Sequence, residues 1–217
     1  MKKERMISPL NILAAVIIAA LVISASVTIT LFDRSAYARM QANTGLPELT
    51  GFSEEEIVAN YNALIDYNSV FFTGPLVFPD FEMSESGRTH FEEVKAIFSA
   101  IQIIFMVSAA LAALLAVTLL RKRRVRFLAL GGILSLVIPA AVAIAMVFTG
   151  WDRFFVIFHQ IFFHNEFWVF DYTTDPVILI LPDAWFLSCL IRIIAGIVIS
   201  AALLIVLSKT FEKVKFF

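Results

Sequence analysis

Four long stretches of this sequence carry almost no charge. Residues 6–32, 96–120 and 127–151 contain no Asp, Glu, Lys or Arg, and residues 184–208 contain only Arg192. The shortest of them is 25 residues long, and a helix needs about 20 apolar residues to cross about 30 Å of hydrocarbon. Backbone amides in lipid must be satisfied within the segment, so helix is the expected state of each stretch. Composition agrees: 60% of the 217 residues are hydrophobic and only 16% are charged, whereas a water-soluble domain is nearer half apolar and a quarter charged. The expected fold is an all-α membrane protein with four transmembrane helices. It forms a single integral membrane domain over residues 1–217, with spans at about 10–31, 96–120, 127–150 and 185–208 and intervening segments 32–95 and 151–184. The basic start resembles a signal-peptide n-region, but the following apolar run exceeds the ~7–15 residues of an h-region and is expected to stay as an anchor.

Charge predicts the orientation. Eleven of the 17 basic residues fall at Lys2, Lys3 and Arg5, at Arg121, Lys122, Arg123, Arg124 and Arg126, and at Lys209, Lys213 and Lys215. With four spans, these two tails and one loop share a side, and the positive-inside rule makes that side cytoplasmic. Sixteen of the 18 acids lie in the other two segments. Both termini are thus expected inside, and segments 32–95 and 151–184 outside. The cytoplasmic parts are too short to house a nucleotide. A net charge of -1 gives no broad attraction to nucleic acid, and one cysteine excludes an internal disulfide.

The first outer segment predicts an amphipathic helix. Ser53-Glu54-Glu55-Glu56 fits a capping box, with Phe52 and Ile57 as its staple. Ile57, Tyr61, Leu64 and Ile65 continue a helical stripe, Asn68 interrupts it and Phe71 rejoins it, before Gly74-Pro75 ends the helix. The opposite face is acidic, so this helix suits packing on protein at least as well as binding lipid head groups. In the second outer segment, residues 154–165 are uncharged over only 12 positions. That is too short to span and predicts an interfacial or re-entrant helix. Pro176 to Pro182 brackets a second apolar run. Together they suggest a hydrophobic mouth beside the bilayer.

All three histidines, His90, His159 and His164, fall in the outer segments. Aromatic-rich interfaces often carry such rings as anchors, yet histidine is also the natural acid or base near neutral pH. Thr89-His90-Phe91-Glu92 reads as a second capping box, which would put His90 in the first turn of span two. There the helix dipole favours the neutral ring. His159 and His164 are five residues apart, roughly 140° around a helix, so they do not share a face. No His-Glu-x-x-His and no cysteine pair points to a metal. Arg192, inside span four, suits either snorkelling to the interface or a carboxylate partner or substrate contact. Cys189 reads as packing.

Three motifs resemble one family. His90-Phe91-Glu92-Glu93-Val94-Lys95 is similar to its H-x-[DE]-[DE]-V-K at the start of span two. Phe158-His159-x-x-Phe162-Phe163-x-Asn165-x-x-Trp168 is similar to its F-H-x-x-F-F-x-N-x-x-W, and Asp175, Ile178 and Pro182 to its D-x-x-[IL]-x-x-x-P. The family is the lipoprotein intramolecular transacylase, Lit, of Gram-positive bacteria, and the likeness extends over nearly the whole chain. Tyr172 departs from it, standing where the family often has Pro. The resemblance implies an acyltransferase of the cell membrane. It would move an acyl chain from the glycerol of a diacylglyceryl-cysteine lipoprotein to the α-amino group of the same cysteine. The implied partners are that lipoprotein and membrane lipid, with no cofactor and no metal. The expected catalytic pair is His90 and His159, with Asn165, Trp168 and Arg192 placing substrate, and no role carried onto His164. The other classes open to such a chain are a non-enzymatic assembly subunit and a small transporter. The second is weakened by having one intramembrane charge and no repeat.

Overall fold

The computed structural model describes residues 8–121 and 125–213. Lys2, Lys3, Arg5, Lys122, Arg123, Arg124 and Lys215, which carry part of the topology argument, lie outside the described residues. Among the described residues, four helical segments are long and apolar enough to cross a membrane: α1 (Pro9–Phe32), α5 (Glu85–Arg121), the pair α6 (Arg126–Ser135) and α7 (Val137–Thr149), and α9 (Asp183–Lys213). Between them lie α2 (Arg34–Thr44), α3 (Leu46–Thr50), α4 (Glu54–Tyr67), α8 (Trp151–Phe162) and a 3-10 helix, Pro176–Ile180. All regular structure among the described residues is helical.

The span formed by α6 and α7 is broken at Leu136. Pro139 has no N–H for the Ser135 carbonyl and its ring crowds that oxygen. The chain tightens there, with Leu136 N–H bonding Ile133 O at 3.2 Å, and resumes with Ala140 N–H on Leu136 O at 3.0 Å.

The chain forms two compact units. The first contains residues 1–27, 103–144 and 192–217. Ala14, Ile18 and Val22 repeat every four residues along α1 and bury with Ala112, Leu119, Phe127 and Ile197. Glycine allows close approach within this unit. A Cβ on Gly131 would lie 2.5 Å from Ile18 Cγ2, and one on Gly132 would lie 2.9 Å from the Ala201 carbonyl oxygen. Such small-residue contacts are how helices associate in lipid, where apolar burial offers no net drive. Ile12, Val16, Ile103, Val107, Leu114, Ile199 and Leu203 are exposed, an arrangement suited to hydrocarbon.

The second unit contains residues 28–102 and 145–191. Its core is built from Tyr37, Leu46, Ile57, Tyr61, Leu64, Ile65, Tyr67, Phe78, Phe81, Phe91, Val177, Ile180 and Trp185, all buried. Tyr37 stacks on Tyr61 with ring centroids 3.5 Å apart, Trp185 meets Tyr37 edge-on at 5.3 Å, and the Tyr37 hydroxyl donates to Ile180 O at 2.8 Å.

The Ser53 capping box is present in α4. Glu56 N–H bonds Ser53 Oγ at 3.2 Å and Ser53 N–H bonds Glu56 Oε2 at 2.7 Å. The apolar stripe of α4 faces the protein core. The helix stops at Tyr67 rather than running to Gly74: Asn68 is a buried C-cap, its side chain bonded to Leu64 O at 2.8 Å. Phe71 does not rejoin the stripe and is 79% exposed.

The start of α5 also differs from expectation. Thr89 is no cap, since the helix begins one turn earlier. Ser84 Oγ accepts from Gly87 N–H at 2.9 Å, and Ser84 O accepts from Arg88 N–H at 2.9 Å. His90 is therefore in the second turn, beyond most of the dipole's reach. The Thr89 hydroxyl bonds back to Glu85 O at 3.0 Å, the usual use of a threonine inside a helix.

Candidate active site

The candidate site lies in the second unit, where α5, α8 and the chain after α8 supply its side chains. At 37 residues, α5 is about 55 Å long, well beyond the bilayer's hydrocarbon. Its first turns, up to Lys95, are the polar end, and they carry His90 and Glu93.

Gly87 decides what can approach that end. A Cβ there would lie 2.2 Å from Asp175 Oδ1 and 3.2 Å from Phe170 Cε1. Without it, Asp175 reaches the helix start, where one carboxylate oxygen accepts from Ser84 N–H at 2.8 Å and the other from Thr174 Oγ1 at 2.8 Å. The Asp175 side chain is thus buried with two hydrogen bonds and a position at a helix N-terminus, where negative charge is favoured. The same approach brings Phe170 over α5, stacked on Phe91 at 5.3 Å and edge-on to His90 at 5.5 Å.

The family motif residues His90 and His159 come together. His90 is buried, and its ring lies 6.1 Å from that of His159, with planes 35° apart. Phe163 meets His90 edge-on at 4.7 Å and lies 5.6 Å from His159. The Nδ1 of His90 has no hydrogen-bond partner among the described residues.

His159 is in the last turn of α8. Its Nδ1 is 2.8 Å from Phe155 O. A carbonyl can only accept, so Nδ1 carries the proton and the neutral ring keeps its lone pair on Nε2. Burial pushes the His159 imidazole below its ordinary pKa, and the Phe155 carbonyl acts in the opposite sense. At neutral pH the ring is uncharged, with Nε2 able to take a proton.

Trp168 stacks on His159 at 4.7 Å with planes inclined 30°. Its Nε1–H donates to Asn165 O at 3.1 Å. Asn165 fixes the loop in three ways. Its carbonyl holds Trp168, its Oδ1 accepts from Phe167 N–H at 3.0 Å, and its Nδ2 donates to Glu93 Oε1 at 2.9 Å. Motif residues 93, 165, 168 and 159 thereby form one connected set.

His164 lies outside α8 altogether, because the helix ends at Phe162. It is exposed in the following bend and has no part in the ring cluster. Arg192 is in α9, half-buried, and belongs to the first unit. Cys189 packs against the aromatic core of the second. Among the described residues, no three His, Cys, Asp or Glu side chains gather closely enough to hold a metal ion.

The aromatic walls and Glu93 were not singled out from the sequence as parts of the site. Phe163 stands beside His159 in its motif and Glu93 stands one turn after His90, and those positions were the available signals. Phe170 and Asp175 join through the gap at Gly87, which no local pattern announces.

Among curated proteins, no sequence matches the chain. Three solved structures do. One, the membrane integral lipoprotein intramolecular transacylase Lit from Bacillus cereus, is 30% identical, with a TM-score of 0.89 over 94% of each chain. Two variants of that protein, with a histidine replaced by arginine or by alanine, are 29% identical with TM-scores of 0.84. They align with 94% of this chain and with 91% and 92% of their own. The family model of the lipoprotein intramolecular transacylase Lit matches residues 12–186. With its two paired histidines set in that shared helical frame, the chain belongs to the lipoprotein intramolecular transacylase (Lit) family.

Proposed function

We propose that the chain converts diacylated lipoproteins to the lyso form, moving an acyl chain from the glycerol of diacylglyceryl-cysteine to the α-amino group of that cysteine. The observation that carries this reading is the His90–His159 pair, 6.1 Å apart within aromatic walls. The reaction needs no nucleophile from the enzyme, because the substrate supplies both amine and ester. It needs a base, an acid and a place to hold both ends.

His159 suits the base. Its Nε2 lone pair takes a proton from the α-ammonium, and the Phe155 carbonyl supports the imidazolium that forms. The freed nitrogen attacks the ester carbonyl. As the tetrahedral intermediate collapses, the C–O bond to glycerol breaks and the amide C–N bond remains. The nitrogen sheds its second proton and the departing glycerol oxygen gains one, with His90, kept neutral because burial lowers its pKa to about 4, passing a proton from one to the other. One proton per turnover leaves to solvent. Direct transfer and prior migration between glycerol oxygens use the same groups. Asn165 and Trp168 place substrate by holding His159, and Arg192 is the candidate contact for a substrate carbonyl.

Both termini lie in the cytoplasm in this proposal, and the site faces outward at the bilayer edge, where lipoproteins are anchored. Helix α8 then rests at the interface. It is amphipathic, it has no fully buried residue, and Phe158, Ile161 and Phe162 are exposed. The single integral domain spans both compact units. The test is to co-express the chain with a reporter lipoprotein and analyse its N-terminal lipopeptide. A blocked α-amine with no change in total mass supports the proposal, and an amine left free overturns it.

A further inference from the structure

Glu93 stands one helical turn after His90 on α5. One of its oxygens, Oε1, accepts from Asn165 Nδ2 at 2.9 Å. The other, Oε2, is buried and has no hydrogen-bond partner among the described residues. The cation nearest in sequence, Lys95, is engaged elsewhere. Its Nζ donates to Phe72 O at 3.0 Å and sits over the Tyr67 ring, 4.2 Å from the centroid. A carboxylate oxygen removed from water without a donor is costly, and that cost is relieved by a cationic donor.

We infer that Glu93 is the binding residue for the α-ammonium of the substrate cysteine, a deepening that rests on the transacylase reading above. The connections place it correctly. Positions 90 and 93 are three apart, so their side chains share a helix face. Through Asn165 the same carboxylate is joined to Trp168 and so to the face of His159. The Asn165 bond holds Oε1, which leaves Oε2 to receive an N–H.

The physical need is clear from the walls. Phe163 and Phe170 line His90, and an ammonium group entering among phenylalanines loses its hydration with nothing in return. A carboxylate there supplies the missing partner and a charge-assisted hydrogen bond. Once the base has taken one proton, Oε2 still accepts from the neutral amine and keeps its lone pair turned toward the ester. The charge also selects. It favours a lipoprotein with a free α-amine over one already N-acylated, so product is released when its nitrogen loses charge.

The test uses purified full-length protein and non-transferable probes: a dialkylglyceryl-cysteine lipopeptide with ether chains, in free-amine and N-acetylated forms. Wild-type protein is expected to bind the free-amine probe about 10- to 100-fold more tightly, and to lose the preference as pH rises past about 8, where α-amines discharge. Glu93→Gln, which keeps an oxygen for Asn165, is expected to bind both probes alike. Equal binding by wild type, or a preference retained in Glu93→Gln, overturns the inference. The pH arm needs no variant: a free-amine preference that persists well above pH 8 overturns the inference even if Glu93→Gln fails to fold. Ether probes cannot transfer, so a preference seen alongside an unmodified reporter supports the ammonium site and rejects only the transacylase reading.

Discussion

The indole of Trp168 lies against the imidazole of His159, 4.7 Å between centroids and 30° between planes, while its Nε1–H is tied to Asn165 O at 3.1 Å. The ring beside the proposed base is therefore itself held at both ends. Trp168→Phe keeps a stacking face and loses one hydrogen bond, so transacylation should fall by up to about tenfold. Trp168→Ala loses both and should fall by about 10- to 100-fold. Initial rates of amine blocking on a reporter lipopeptide measure this. Equal rates for alanine and wild type would remove Trp168 from the site.

The three histidines should separate cleanly. His90→Ala and His159→Ala are each expected to lower transacylation by about 10²–10⁴-fold with insertion intact. His164→Ala, altering an exposed residue in the bend after α8, should stay close to wild type. Damage from His164→Ala equal to the others would mean the wrong pair has been chosen. A chelator arm would then distinguish a third proton carrier from a metal ligand.

The environment of His159 sets a pH dependence. Its folded pKa lies below the ordinary 6.5, through desolvation first, against which the Phe155 carbonyl acts. The unfolded chain therefore binds a proton in a window where the folded one does not. Stability from this group is fully present above pH 6.5 and is lost as pH falls through the folded pKa. Thermal unfolding midpoints from pH 7.5 downward should drop more in wild type than in His159→Gln. Parallel curves would show that the ring is not protected from protonation.

Gly87 is expected to be intolerant for a reason that has nothing to do with its own backbone. Gly87→Ala puts a methyl group 2.2 Å from Asp175 Oδ1, which should cost about 1–3 kcal/mol and move Phe170 off His90. Glu82→Ala, at an exposed position nearby, should stay within about 0.5 kcal/mol. Denaturation in detergent compares the two, and similar stabilities would show that the Asp175 contact is soft.

Orientation has its own measurement. In a Cys189→Ala background, Glu55→Cys should react with an impermeant thiol reagent on intact cells and Thr210→Cys should not. Both positions are exposed, so access depends on the membrane. The reverse pattern would place the histidines in the cytoplasm and end the lipoprotein reading.

The spans were legible because length and apolar content are additive properties that need no partner. So was the start of α4, since Ser53 and Glu56 satisfy each other locally. The start of α5 was misread for an instructive reason. Thr89-x-x-Glu92 has the composition of a cap, whereas the true cap, Ser84, draws support from Asp175, far along the chain. Asn60 and Asp80 are a similar case. They exchange bonds at 2.8 and 3.2 Å across 20 residues, and Asn60 is fully buried, though each looks like a surface residue in sequence. Helix α2 is hidden by its polar composition, although Asp33 accepts from Ala36 N–H as an N-cap, and α3 by its length of five residues. The histidine pair was reachable through motif resemblance alone. Its aromatic enclosure and Glu93 depend on the packing of segments that no periodicity links.

The Tyr37–Tyr61–Trp185 assembly has a consequence for how the enzyme meets different membranes. Its rings are buried against protein, and Tyr37 is anchored to the Ile180 carbonyl. Residues so enclosed have no lipid to answer to. A thicker or thinner bilayer changes the tilt of spans, but the packing within the second unit has its own internal reference. Bilayers of short and long acyl chains should therefore alter how high the lipopeptide's ester rides, leaving the His90 and His159 rings at fixed spacing. Any dependence of rate on membrane thickness would then report the depth of the substrate rather than distortion of the enzyme.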